Sequence, residues 1–184
     1  MTDISSTRMS PIGRVPEEFD VLASELEIHF SQDFTSCWSD LKFEELALRA
    51  FNAQFLYNPV YRRFCEGKNA VPTAVQSWRD VPMVPTTAFR HLDLVTGDHS
   101  SVRMVFRTSG TTNTTLAPGR HLVSRPSLYH ASLLSSFREY LLPDVEEIKF
   151  VSLIPSPVDL PHSSLSHMVG VAADTMSSET HWFV

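Results

Sequence analysis

The chain has 184 residues, 42% of them hydrophobic, and a formal net charge of -6 with a pI near 5.7, which suits one domain with a real core and is short for most two-domain enzymes. The acidic balance excludes a broad nucleic-acid footprint, which would need a basic face to neutralise phosphates, and no apolar run approaches the roughly 20 residues of a membrane helix. Met1 to Gly13 lacks the apolar core of a secretory signal, so a cytoplasmic protein with Cys37 and Cys65 reduced is expected, and His-Glu-x-x-His and Cys-x-x-Cys metal spacings are both missing.

In chain order, residues 1–15 read as a flexible arm broken by Pro11 and Gly13. Glu17-Glu18 then opens a helix to about Ser31, with acidic residues suited to its first turn. Phe43, Leu46, Ala47, Ala50, Phe51 and Phe55 recur at helical spacing and define one apolar face. Asn52 and Gln54 within that helix read as solvent-facing or satisfied amides. Asn58 to Cys65 predicts a short helix stopped by Gly67, with Tyr61 and Phe64 inward and Arg62 and Arg63 outward. Pro72, Pro82 and Pro85 leave room only for short turns, so residues 16–90 are expected to be mainly helical.

From residue 91 the pattern changes. Val102, Met104 and Phe106 alternate with Arg103 and Val105 as in a half-buried strand, and His121-Leu122-Val123 can return beside it. Pro126 suits the first position of a helix carrying Leu133, Leu134, Phe137, Tyr140 and Leu141 and ended by Pro143. Phe150 to Ile154 reads as a short buried strand. Ser163 or Ser164 can cap a further helix with Leu165, Met168, Val169, Ala172, Ala173 and Met176 on one side. His181 to Val184 begins another strand. The expected fold class is α/β with α+β character: one domain over 16–184, its helical N-terminal third leading into a mixed sheet covered by the helices at 126–142 and 164–176.

Between the two central strands lies Arg107-Thr108-Ser109-Gly110-Thr111-Thr112-Asn113-Thr114-Thr115, with one serine and five threonines around one glycine. Hydroxyls and backbone N–H groups in such a loop can converge on an anion, although ordinary surface turns share the composition. Few apolar contacts are available to hold it, so mobility without ligand is expected. The three lysines, Lys42, Lys68 and Lys149, are far off in sequence, so Arg107, Arg120 or Arg125 must supply any cation. Gly-x-Ser-x-Gly is missing, so Ser109 has no hydrolase context.

Phe106-Arg-Thr-Ser-Gly-Thr-Thr resembles the phosphate loop of the adenylate-forming enzymes. Over roughly Phe43 to Met168 the chain is similar to the acyl-protein synthetase family, the LuxE-like ligases. The resemblance rests on Ala50-Phe-Asn-Ala-Gln-Phe55, Asn58-Pro-Val-Tyr-Arg-Arg-Phe-Cys65, Trp78-Arg-Asp-Val-Pro-Met-Val-Pro85, Ala88-Phe-Arg90, the loop, and Ser163-Ser-Leu-Ser-His-Met168. It departs from the superfamily loop at Asn113, where a glycine is usual, and in lacking a following lysine. The resemblance implies ATP with Mg²⁺ bound through its phosphates, Thr108, Ser109, Gly110, Thr111, Thr112 and Arg120 as ATP contacts, and a fatty or other small carboxylic acid activated as an acyl-adenylate for transfer to a thiol, for example on an acceptor protein. It places the Pro155–Ser164 turn, with His162 and Ser164, beside the acyl pocket. The family's acyl-carrying cysteine and C-terminal lysine would lie past Val184, so the 184-residue chain is expected not to turn over alone and to self-associate through the edge at Trp182 to Val184. The alternative is a non-catalytic nucleotide-, anion- or partner-binding domain.

Overall fold

The computed structural model describes residues 17–32, 38–108 and 117–183; the predicted arm, Cys37 and most of the hydroxyl loop lie outside them. Helix α1 (Glu17–Ser31) opens with Glu17, Glu18 and Asp20 at its positive end. Helix α2 (Asp40–Tyr57) is capped by Ser39, whose hydroxyl accepts from the Lys42 N–H at 3.2 Å. Asn58 closes α2 and opens α3 (Pro59–Glu66). Its N–H donates to the Gln54 carbonyl at 2.9 Å, and its Oδ1 accepts from the Tyr61 N–H at 3.1 Å. Pro59 takes the first helical position, where a missing N–H costs nothing.

Arg62, read from sequence as outward, turns back to the end of α2. Its Nε donates to the Phe55 carbonyl at 2.8 Å and its guanidinium also reaches the Leu56 carbonyl, satisfying acceptors that a helix end leaves orphaned. The core of this half has two parts. Leu22, Leu46 and Ala53 pack with Phe19, Leu26 and Trp38. Phe51, Cys65 and Val75 pack with Tyr61, Phe64 and Val81. Cys65 is fully buried, and burial pushes its thiol pKa up, so it is a core residue and not a nucleophile.

Three 3₁₀ turns, Trp78–Asp80, Thr86–Arg90 and His99–Ser101, carry the chain across the proline-rich segment. Strands β1 (Met104–Arg107) and β2 (Arg120–Val123) then pair antiparallel, with Phe106 opposite His121. Helix α4 (Pro126–Leu141), strand β3 (Ile148–Ser152), helix α5 (Ser164–Met176) and strand β4 (Ser177–Trp182) follow, and β3 and β4 pair in parallel.

The described strands therefore form two separate two-stranded sheets, where one mixed sheet was expected. One outer edge of the β1–β2 hairpin, that of β1, is closed. His162 occupies it, its carbonyl accepting from the Arg107 N–H at 2.9 Å and its Nδ1 lying 3.1 Å from the Val105 carbonyl. No further strand can add there. Helix α4 packs chiefly on α1 and touches β3 through Phe137 on Phe150, ring centres 6.0 Å apart. Tyr140 and Leu141, expected inward, are exposed in its last turn. Helix α5 buries Ala172, Ala173 and Met176, and Pro157 packs so closely on Gly170 that a Cβ there would lie 2.4 Å from the proline ring.

Candidate functional site

The hydroxyl loop leaves and rejoins the sheet through a closed neck. The Thr108 N–H donates to the Gly119 carbonyl at 2.9 Å, and the Gly119 N–H donates to Thr108 Oγ1, also at 2.9 Å. Thr108 Oγ1 thus already accepts one hydrogen bond, and its proton has no acceptor among the described residues. A Cβ on Gly119 would meet the Thr108 methyl at 3.3 Å. Ser109, Gly110, Thr111 and Thr112, and with them the expected mobility, lie outside the described residues.

The three flanking arginines differ in what already holds them. Arg120 pairs with Asp93 at 2.6 Å. Arg125 makes a two-pronged contact with Glu27, at 2.7 and 3.0 Å, and also reaches Ser24 and Asp20. Arg125, first among its partners, holds the Glu27 carboxyl below the usual range. Arg107 is exposed and its side chain has no partner among the described residues. Of the three cations it is the one left uncommitted among the described residues, although Arg120 was the sequence choice.

His162 stands on β1 two residues before the neck. Because a carbonyl can only accept, its bond to Val105 fixes the proton on Nδ1 and leaves Nε2 as the outward nitrogen. Ser164 is exposed at the first position of α5, and Ser163 is the cap, its hydroxyl accepting from the Ser166 N–H at 3.1 Å. Arg107, Thr108 and the His162 turn therefore share one end of the hairpin.

Behind the hairpin, two histidines that carry no local sequence signal meet. His130 of α4 and His167 of α5 bring their Nε2 atoms to 2.8 Å. Their ring centres are 5.1 Å apart, a spacing that these nitrogens allow only when the rings point at each other nearly head-on. That is the geometry of one shared proton. The pair sits against the buried Phe106 ring and against Tyr129. Burial, aided by His130, lowers the His167 pKa. Among the described residues no group of three or more His, Cys, Asp or Glu could hold a metal.

A cavity of about 790 Å³ opens between α1, α2, the proline-rich connector, β2 and α4. It falls in the usual range for small-molecule sites. Its walls are mostly apolar and aromatic, including Phe19, Phe30, Phe51 and Phe89, with Gln54 and Asn58 among the polar exceptions. Neither His162 nor Ser164 lines it. It reaches the hairpin through Leu122, Val123 and Ser124 of the returning chain, and Phe89 stacks on His121 with ring centres 4.4 Å apart. The signal in sequence was the small residues Ala47 and Ala50, about two turns and one turn before Gln54, which leave space on the face read as core. No protein-family model, curated protein or solved structure matches the chain.

Proposed function

We propose that the chain takes part in ATP-dependent activation of an apolar carboxylic acid as an acyl-adenylate, for transfer to a thiol. The observation that carries this reading is that one hairpin joins the two halves such chemistry needs. A hydroxyl-rich segment of sequence connects its two strands and follows directly on Arg107, whose side chain has no partner among the described residues, and an apolar cavity lies against its returning strand. In adenylation a carboxylate oxygen attacks the α-phosphorus and pyrophosphate leaves. Ser109, Thr111, Thr112 and Arg107 would stabilise the charge gathering on that leaving group, and the Mg²⁺ that accompanies ATP would supply further positive charge there. His162, with Nδ1 tied to a carbonyl, presents Nε2 as a base for the incoming thiol.

Calorimetric titration with pyrophosphate tests the loop. Thr111→Val should weaken binding by about 1 kcal/mol or more, as loss of a hydrogen bond to a charged group does; equal binding by both proteins would remove the loop from the account. A second reading, a non-catalytic anion-binding or interaction domain, is favoured by one observation. Val151 stands exposed on the β3–β4 sheet, with Leu153 and Phe183 exposed just past the ends of its two strands, and parallel sheets are ordinarily covered on both faces.

A further inference from the structure

We infer that the cavity between α2 and α4 is a binding site for an apolar chain ending in an uncharged carbonyl oxygen, gripped by the side-chain amides of Gln54 and Asn58. Asn58 is 4% exposed and lines the cavity. Its Oδ1 is committed to the Tyr61 N–H, which fixes the amide's orientation and leaves Nδ2 as a donor with no acceptor among the described residues. No sealed-off polar side-chain atom lacks a partner among these residues, so Nδ2 must reach open space, and for so buried a residue that space is the cavity. Gln54, one turn earlier on the same face, repeats the arrangement. Its Oε1 accepts from the Thr96 hydroxyl at 2.7 Å, and its Nε2 likewise has no acceptor among the described residues.

Two unfilled N–H donors in a mostly apolar wall call for an oxygen acceptor on an apolar body. The charge of that acceptor follows from Arg125, the cation in the lining. Its guanidinium is taken up by Glu27, Asp20 and Ser24, so a carboxylate here would be desolvated without a counter-charge. A ketone, ester or thioester carbonyl meets no such penalty. In the terms of the proposed function, on which this part of the inference rests, the cavity fits the acyl group after its charge has been removed, as adenylate or thioester, better than the free acid.

The test is titration of the whole chain, without nucleotide, with 2-decanone and with decanoate at neutral pH. Nucleotide is absent, so the result is independent of whether the loop binds ATP. Gln54→Glu keeps the acceptor for Thr96 and Asn58→Asp keeps the cap on Tyr61, while each removes one donor. Ala47→Phe and Ser132→Phe fill the cavity from α2 and from α4, so either can serve if the other fails to fold. The expected result is saturable one-to-one binding of 2-decanone, at least as tight as decanoate. It should weaken about tenfold in each amide variant and be lost in a filled variant that keeps its helical circular dichroism. Absence of saturable ketone binding, tighter binding of decanoate than of the ketone, or indifference to the amide or filling variants would each overturn the inference.

Discussion

Three arginines flank one loop, and their partners give them different work. Arg120 and Arg125 are neutralised by carboxylates at 2.6 and 2.7 Å, whereas among the described residues Arg107 is held through its backbone N–H and its side chain has no partner. Arg107→Ala should therefore weaken pyrophosphate binding and flatten its salt dependence, as loss of a point of phosphate charge does. Arg120→Ala should change it little; salt-dependent titrations of both variants check this, and a larger effect at Arg120 would reverse the assignment. Nothing local in the sequence separates these residues, because Asp93 and Glu27 lie 27 and 98 positions from their arginines. The caps were legible. Ser163 and Pro126 act within one turn of themselves, and Gly67 ends α3 as read. Arg62 was not, since its role depends on where the end of α2 lies in space.

Among elements, α1 and α4 are joined by the Arg125–Glu27 pair, which Ser127 extends by donating to Glu27 at 2.6 Å. Both side chains of the pair are less than a quarter exposed. Arg125→Met should cost about 2 kcal/mol, a typical figure for a hydrogen bond between charged groups, read by chemical denaturation. The pair also sets a sign with pH. Glu27 ionises more easily when folded, so its stabilisation is present above the ordinary carboxylate range and is lost as pH falls through the folded pKa.

Helices α4 and α5 are latched by His130 and His167, whose shared proton makes their contact sensitive to a second one. Facing them are Phe106 of β1 and the Tyr129 phenol of α4, held neutral by a pKa raised by burial. On the same helical faces the next charged side chains, Arg138 and Asp174, stand about two turns on. His167 has a folded pKa below its unfolded value, so its contribution is present above about 6.5 and is lost as pH falls from there through the folded pKa. His167→Gln should reduce that loss between about pH 7 and 5, measured as midpoint denaturant concentration against pH; an unchanged slope would contradict the latch. Helical spacing revealed the helices but not which of their polar residues would meet, because residue 130 and residue 167 are brought together only by packing of α4 on α5.

For the whole molecule, the α/β character and the order of helices and strands were legible because each element carries its own period and punctuation. Sheet membership was not. His162 takes the edge of β1, and the described strands form two separate pairs. The cavity was hidden for a related reason. Ala47, Ala50 and Phe51 read as one core face, yet they line a space of about 790 Å³, and apolar periodicity cannot distinguish a filled core from a lined pocket. The account joins that space to the loop through the β1–β2 hairpin, so a molecule spanning both should gain from both. Titration with decanoyl sulfamoyl adenosine, a non-hydrolysable mimic of an acyl-adenylate, tests this most directly. The account predicts binding at least about a hundredfold tighter than AMP or decanoate alone, as expected for a site complementary to the activated state. Binding no tighter than AMP would contradict it and leave a bare anion loop beside an unrelated cavity.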